Sequence, residues 1–334
     1  MRMNTPLYDR KLEGSPLVIE PQPKVCVVIA AYNSSATILR AVESALEQTA
    51  DTEVIVVDDA SSDDTVSLVS ALSGFGERLK VIGLKSNVGP AAARNRALEL
   101  TSADFVTPLD ADDYMAPDRI EKLLAQVGDA DFIADDLDRR IENQDEVRPC
   151  NLIEPDWPST RPMSLVYFID RNISRSGAHR QELGFLKPLI RRSFLLKHDL
   201  RYEENLRLGE DYALYVTALA RGAKFLLVPG CGYVAVQRAN SLSSQHSKTD
   251  LQRLQDFDEW LLGAVRLSPA EKRIVRRHSQ SIRLKVDYRH ILEDKGAGRY
   301  FDVAARLLFR PSTAFYVLNQ TRLAKSRRAT NGVS

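Results

Sequence analysis

What most limits how this chain can fold is an alternation, beginning at Val25, of short β-branched runs with amphipathic stretches. Residues 25–31, Val-Cys-Val-Val-Ile-Ala-Ala, are apolar without a break, the pattern of a strand covered on both faces. In 35–47, Ile38, Leu39, Val42, Ala45 and Leu46 fall on one helical stripe, with Ser34 or Ser35 available as N-cap. The same reading gives strands at 54–57, 79–83 and 105–109 and helices at 63–72 and 90–100. This order predicts an α/β fold built on a mostly parallel sheet with helices on both faces. Ligands of such sheets sit beyond the carboxyl ends of the strands. The polar groups there are Tyr32 and Asn33, Asp58 and Asp59, residues 85–87, and residues 110–113, a set suited to a nucleotide diphosphate and a metal.

The pattern then becomes mixed. A helix is expected at 117–127 with proline in its first turn, a short strand at 131–134 and a charged hairpin or loop at 138–148. Residues 151–184 show little periodicity, carry Pro155, Pro158 and Pro162, and read as a flexible segment near the acceptor side. Strands follow at 185–190, 225–228 and 232–236, with helices at 191–198 and 210–221. From residue 250 the chain reads as helices, including 269–293 and 298–308. The implied organisation is a flexible arm (1–23), a catalytic domain (24–240) split into a nucleotide-binding half (24–115) and an acceptor half (116–240), and a basic helical extension (241–334).

Composition excludes several classes. With 334 residues, 44% hydrophobic and 27% charged, the chain has enough apolar material for a large core. Three widely spaced cysteines, Cys26, Cys150 and Cys231, suggest neither a disulfide framework nor a zinc site, and point to a reducing cytoplasm. The N-terminus has no apolar signal region, and no stretch reaches the roughly 18 apolar residues of a spanning helix. A protein neither secreted by that route nor integral to the membrane is expected. The net charge of +1 hides an asymmetry: residues 264–334 carry 16 Lys+Arg against 5 Asp+Glu, leaving 30 against 40 in residues 1–263. Such a tail suits an anionic membrane surface. Nucleic acid is not expected as a partner, because no nucleic-acid module accompanies the charge.

Asp110-Ala111-Asp112 closes the apolar run at 105–109. Residues two apart in an extended segment share a side, so both carboxylates can face one pocket and hold Mg²⁺ or Mn²⁺ against a diphosphate. Tyr32 can pack on a base, and Asp59 can accept a hydrogen bond from a uracil N–H. Ser62 or Asp63 can cap the helix that follows. Arg94, near the start of a helix rich in small residues, can reach phosphates or base. Glu210 and Asp211 open a helix; the helix dipole favours acids there, and one of them can also serve as general base toward an acceptor hydroxyl. After the strand at 232–236, Arg238 can neutralise diphosphate charge and His246 can join the metal. No G-x-G-x-x-G follows the first strand and no P-loop is present, which disfavours a dehydrogenase or a P-loop nucleotidase.

Taken together, Val28-Ile29-Ala30-Ala31-Tyr32-Asn33, the run 56–65 with Asp58-Asp59, Asn87-Val88-Gly89 with Ala93-Arg94-Asn95, Leu109-Asp110-Ala111-Asp112-Asp113 and Gly209-Glu210-Asp211 resemble family 2 glycosyltransferases of GT-A fold over residues 24–240. The resemblance implies an inverting transfer from a UDP-sugar, dependent on Mg²⁺ or Mn²⁺. It implies that Ala30, Tyr32 and Asp59 hold the uridine, Arg94 and Asp110 the nucleotide side, Asp112 the metal, and that Asp211 is the base. It is closest to bacterial exopolysaccharide enzymes of the succinoglycan type, which implies a glucosyl donor, a polyprenyl-diphosphate-linked saccharide acceptor and a peripheral place at the inner face of the cytoplasmic membrane. The Q-x-x-R-W of processive members is absent, Gln237-Arg238-Ala239-Asn240-Ser241 standing near its place, so addition of a single sugar is expected. Two other readings stay open, a UDP-binding scaffold without turnover and a sugar-1-phosphate nucleotidyltransferase. The latter would need a glycine-rich loop where residues 30–37 contain no glycine. Oligomeric state, a homo-oligomer included, is not written in these patterns.

Overall fold

A computed structural model describes residues 22–153, 160–173, 181–238 and 247–331. The strands are β1 (Val25–Ala31), β2 (Thr52–Asp58), β3 (Leu79–Gly83), β4 (Phe105–Pro108), β5 (Tyr114–Met115), β6 (Phe132–Ile141), β7 (Val147–Pro149), β8 (Arg161–Pro162), β9 (Leu189–Arg191) and β10 (Phe225–Gln237). The α-helices are α1 (Ile38–Leu46), α2 (Thr65–Ser70), α3 (Pro90–Leu100), α4 (Arg119–Val127), α5 (Leu165–Asn172), α6 (Arg192–Lys197), α7 (Glu210–Ala220), α8 (Lys248–Ala264), α9 (Pro269–Gly296), α10 (Tyr300–Phe309) and α11 (Pro311–Asn331). One mixed sheet runs β3-β2-β1-β4-β9-β6-β10-β5, with β7 beside β6 and β8 beside β10. The strands β3, β2, β1 and β4 are parallel, as the alternation predicts. Short β9 lies antiparallel to both β4 and β6, and so joins this half to the parallel pair β6 and β10. Every residue of β2 is buried, and its centre, 54–57, reads as an unbroken apolar run.

Local boundaries differ from the sequence reading where loops are laced to one another. Helix α1 starts at Ile38, after Thr37 rather than Ser34 or Ser35. The Ser34 and Ser35 amides donate instead to Thr65 Oγ1 and Asp63 Oδ2 of the next βα loop, at 2.8 and 3.0 Å. Helix α2 likewise follows Asp64, because Asp63 is engaged across the loops and the Ser62 amide donates to Asn33 Oδ1. These bonds tie the two loops at the carboxyl edge into one rigid rim. Pro117 lies ahead of α4, whose N-cap is Asp118. The strands expected at 225–228 and 232–236 are one strand, β10, with a register shift between Val228 and Tyr233. The expected strand at 185–190 starts only at Leu189, after a 3₁₀ turn, Leu183–Phe185. The segment 151–184 holds α5, whose Leu165, Phe168 and Ile169 are buried; its short length hid its period.

The C-terminal helices α8 and α9 are part of the main core. Leu251, Leu254, Phe257, Leu261, Ile274, Val275 and Ile282 belong to the same buried cluster as β1 and β2. A buried polar contact joins them to α7: the Tyr212 hydroxyl lies 3.2 Å from Asp258 and 3.0 Å from His278 Nδ1, which is 2.6 Å from Asp258. The expected arm and the expected boundary at 240 fall largely on residues 1–21 and 239–246, outside the described residues.

The three cysteines are free, with Cys26 and Cys231 buried. Burial pushes the Cys26 thiol up to about 12 and those of Cys150 and Cys231 to about 11. At pH 8 the reactive thiolate of such groups is a fraction of about 10⁻³ or less. Native protein is therefore expected to resist iodoacetamide at pH 8 and to label three thiols only after denaturation, read by mass spectrometry. Rapid native labelling of Cys26 or Cys231 would contradict their packing.

Candidate active site

Three chain segments meet at the carboxyl edge between β1, β4 and α7. Helix α3 enters through Gly89, whose φ of +98° is open to glycine and strained for other residues, followed by Pro90 in the first turn. Its small residues Ala91, Ala93 and Ala97 pack against the sheet and carry Arg94 inward with them, so that its side chain is only 6% exposed. Helix α7 begins after Gly209, in the left-handed region at φ +78°, where a Cβ would come within 3.1 Å of Leu254. That turn presents Glu210 and Asp211 toward Arg94.

The result is a tight ionic cluster. Arg94 Nη2 donates to Asp110 Oδ1 at 2.8 Å, and Nη1 to Glu210 Oε1 at 2.9 Å, with Asp211 Oδ1 at 3.4 Å. The Lys187 ammonium bridges the two aspartates, 2.9 Å from Asp110 Oδ2 and 2.8 Å from Asp211 Oδ2. Burial alone would push the Asp110 carboxyl up, but Lys187 and Arg94 outweigh it and hold the group at about 2. Burial works against the charge on Lys187 as well, and Asp110 and Asp211 outweigh it, so its pKa is raised. Two cations and three carboxylates thus fix one another in a site that two chain regions about 100 residues apart complete.

Asp112 is different. The turn after β4 is closed by the Asp113 amide donating to the Asp110 carbonyl at 3.0 Å, so Asp110 and Asp112 are neighbours through a turn and not through the pleat of an extended segment, as the sequence reading supposed. The Asp112 carbonyl accepts from Arg40 at 2.6 Å, while no hydrogen bond or ion pair within 4 Å engages its carboxylate among the described residues. Burial and the adjacent Asp110 push the Asp112 carboxyl up, which marks a carboxylate with excess negative charge around it. Arg238, a countercharge acting on it, is turned to Glu142 at 3.3 Å. The residues fit a divalent cation in this respect: Asp112 offers a hard oxygen donor whose charge a cation would relieve. Among the described residues no three His, Cys, Asp or Glu side chains converge on one point, so remaining ligands would come from substrate phosphates and water. His246 lies outside the described residues.

The residues expected on the nucleotide side lie together on the laced rim. Ala30 and Tyr32 sit at the end of β1, with Tyr32 49% exposed beside the laced loops. Asp59 is buried, and its two oxygens accept the Val88 and Gly89 amides at 2.7 and 2.8 Å. It therefore ties the α3 entry loop to β2, a duty the sequence reading did not foresee. Asp113, which the sequence places in the polar run 110–113 without a role of its own, has a structural one. It accepts the Tyr233 hydroxyl and the Val236 amide, both at 2.8 Å, and so fastens the acidic turn to β10. Burial, with Asp110 and Asp112 adding to it, pushes this carboxyl up to about 8. The main omission was Lys187. Its signal was a lone lysine inside the apolar run Phe185-Leu186-Lys187-Pro188-Leu189-Ile190, where an uncompensated charge is costly and a partner is required.

Comparison with known proteins gives the family and the fold. The family model described as glycosyl transferase family 2 matches residues 26–193. The succinoglycan biosynthesis protein ExoU of Rhizobium meliloti (strain 1021) is 46% identical over 84% of this chain and 82% of its own length. The succinoglycan biosynthesis protein ExoO of the same strain is 34% identical over 80% of this chain and 76% of its own. Among solved structures, S. aureus TarS 1-349 in complex with UDP-GlcNAc superposes with a TM-score of 0.61 at 22% identity, over 77% of this chain and 72% of that one. A mannosyltransferase from Pyrobaculum calidifontis in complex with GDP-Man and Mn²⁺ gives 0.56 at 16% identity, over 91% and 86%. These two likenesses establish a shared GT-A-type fold.

Proposed function

The chain belongs to glycosyltransferase family 2, and on that premise we propose that it adds a single sugar, glucose from UDP-glucose, to a lipid-linked oligosaccharide in exopolysaccharide synthesis, working at the inner face of the cytoplasmic membrane. The observation that carries the proposal is the cluster in which Asp211 and Asp110 share Lys187 at 2.8 and 2.9 Å at the carboxyl edge of the sheet. In this reading Asp211 is a fixed carboxylate on the acceptor side, beside the acidic turn on the donor side. The kinship with two succinoglycan biosynthesis proteins supports the pathway, and the bound nucleotide sugars of the structural relatives support the donor class.

In this reading Tyr32 and the rim around Ala30 and Asp59 receive the uridine, and Arg238 screens the diphosphate. Asp211 takes the proton of the acceptor hydroxyl as its oxygen attacks the anomeric carbon. The bond from that carbon to the diphosphate oxygen breaks with inversion, and UDP departs with the electron pair. Lys187 and Arg94 orient Asp211, and Glu210 shares Arg94 with it. Asp112 would hold Mg²⁺ or Mn²⁺, which supplies charge neutralisation for the diphosphate leaving group.

The test is UDP release by purified protein over a panel of UDP-sugars, with Mg²⁺ or Mn²⁺, and with or without a membrane lipid extract. Turnover selective for UDP-glucose and stimulated by the extract is expected. UDP binding with no turnover on any donor would contradict the assignment. Asp112→Ala is expected to weaken metal-dependent UDP binding by roughly tenfold or more, measured by calorimetry with and without chelator. An unchanged titration would remove Asp112 from the metal site.

A further inference from the structure

Helices α10 and α11 are built inside out. Three of their polar side chains turn to the protein: Arg306 lies 3.5 Å from Asp294, Arg310 pairs with Asp287, and the Thr313 hydroxyl donates to Asp287 at 2.8 Å. Arg299, just ahead of α10, pairs with Asp294 at 2.6 Å. Asp287 and Asp294 are buried on α9, so these ion pairs are what hold α10 and the start of α11 in place. The largest apolar side chains point the other way. Phe301, Ala304 and Leu308 share one face of α10, and Phe315 and Leu318 one face of α11, all exposed. Phe301 is 85% exposed and Phe309 80%, and no residue of α10 is buried.

Water is a poor solvent for such a face, and the boundary between the headgroups and the acyl chains of a bilayer is a good one. The surrounding charge selects the kind of layer. Of the five acids after residue 264, Asp287 and Asp294 are held inward by arginines, Glu293 pairs with Lys248 at 2.8 Å, Glu271 caps α9, and Asp302 lies 3.8 Å from Arg299. The basic excess of this region is therefore not cancelled outward. We propose that the exposed face of α10 and the first half of α11, centred on Phe301, Leu308 and Phe315, inserts into the interface of an anionic bilayer as a monotopic anchor. Charge alone, as read from the sequence, gives attraction to such a surface; the outward aromatic face gives the depth and the orientation. No helix among the described residues is long and apolar enough to cross a membrane. The proposal rests on the membrane-side reading above for its setting, while its test needs no catalysis.

The test is flotation of the full chain with vesicles of phosphatidylcholine containing phosphatidylglycerol, and with phosphatidylcholine alone. The native protein is expected to float with the anionic vesicles and much less with the neutral ones. The triple variant Phe301→Ser, Leu308→Ser, Phe315→Ser is expected to lose vesicle partition by about tenfold or more. Its circular dichroism and its donor hydrolysis in vesicle-free solution should match the native protein, and Phe301→Ser alone should fall between the two. Equal partition of triple variant and native protein would overturn the anchor. So would a native protein that ignores anionic vesicles, or one that forms a dimer abolished by the same substitutions while remaining in solution. A protein that floats as expected but turns over no donor would overturn the enzymatic reading and leave the anchor standing.

Discussion

Asp211→Asn is expected to lower kcat by about 10²- to 10⁴-fold while leaving UDP affinity within about twofold of native. Asparagine keeps the shape of the side chain and can still accept from Lys187 when its amide oxygen takes the place of the native Oδ2, 2.8 Å from the ammonium. What it cannot do is take a proton from the acceptor hydroxyl. The rim around Tyr32 and Asp59, proposed to receive the uridine, is built from the loops after β1 and β2 and the loop that enters α3, so UDP binding should survive. Glu210→Gln is the matching control: Glu210 shares Arg94 at 2.9 Å but has no contact with Lys187 within 4 Å, and its loss should cost less. Full activity in Asp211→Asn, or a larger loss in Glu210→Gln, would move the base to the neighbouring residue.

The second large effect is on folding. Arg119 and Asp135 are both completely buried and paired at 2.7 Å, and Asp135 also accepts the Cys231 amide at 3.0 Å. Arg119 extends on to the Lys187 carbonyl, so this pair supports the backbone that carries the bridging lysine of the active site. Asp135→Ala strands a buried guanidinium and is expected to destabilise the protein by about 3–5 kcal/mol, read from equilibrium urea unfolding. The double variant Arg119→Met, Asp135→Leu removes both charges together and is expected to cost less than Asp135→Ala, while turnover falls because Lys187 loses its support. A single substitution costing under about 1 kcal/mol would show that water reaches this pair.

Much of this architecture was legible in the chain. The burial of β1 and β2 on both faces wrote itself as unbroken apolar runs, and α3 began at Pro90 because Gly-Pro is a strong start signal. The positions of Asp110, Asp112, Arg94, Glu210 and Asp211 were legible as chemistry at strand and helix ends. Their mutual contacts were not, since the approach of α7 to Arg94 spans 116 residues of sequence and depends on β9 turning antiparallel between the two halves of the sheet. Lys187 was hidden for the same reason: a lysine in an apolar run announces that it has a partner, and only tertiary structure names it. The serines and aspartates of 61–63 misled the cap assignments because such side chains bond as readily across loops as along their own helix. The tail's charge was visible in composition, whereas its outward aromatic face emerged only once Asp287 and Asp294 were seen to draw the arginines inward.

The most direct test of the account is the anomeric configuration of the sugar first transferred or released from UDP-α-glucose, followed by proton NMR before mutarotation. A single displacement with Asp211 as base predicts the β-anomer. Formation of the α-anomer would contradict it and require either a covalent intermediate or front-side attack in the same cleft.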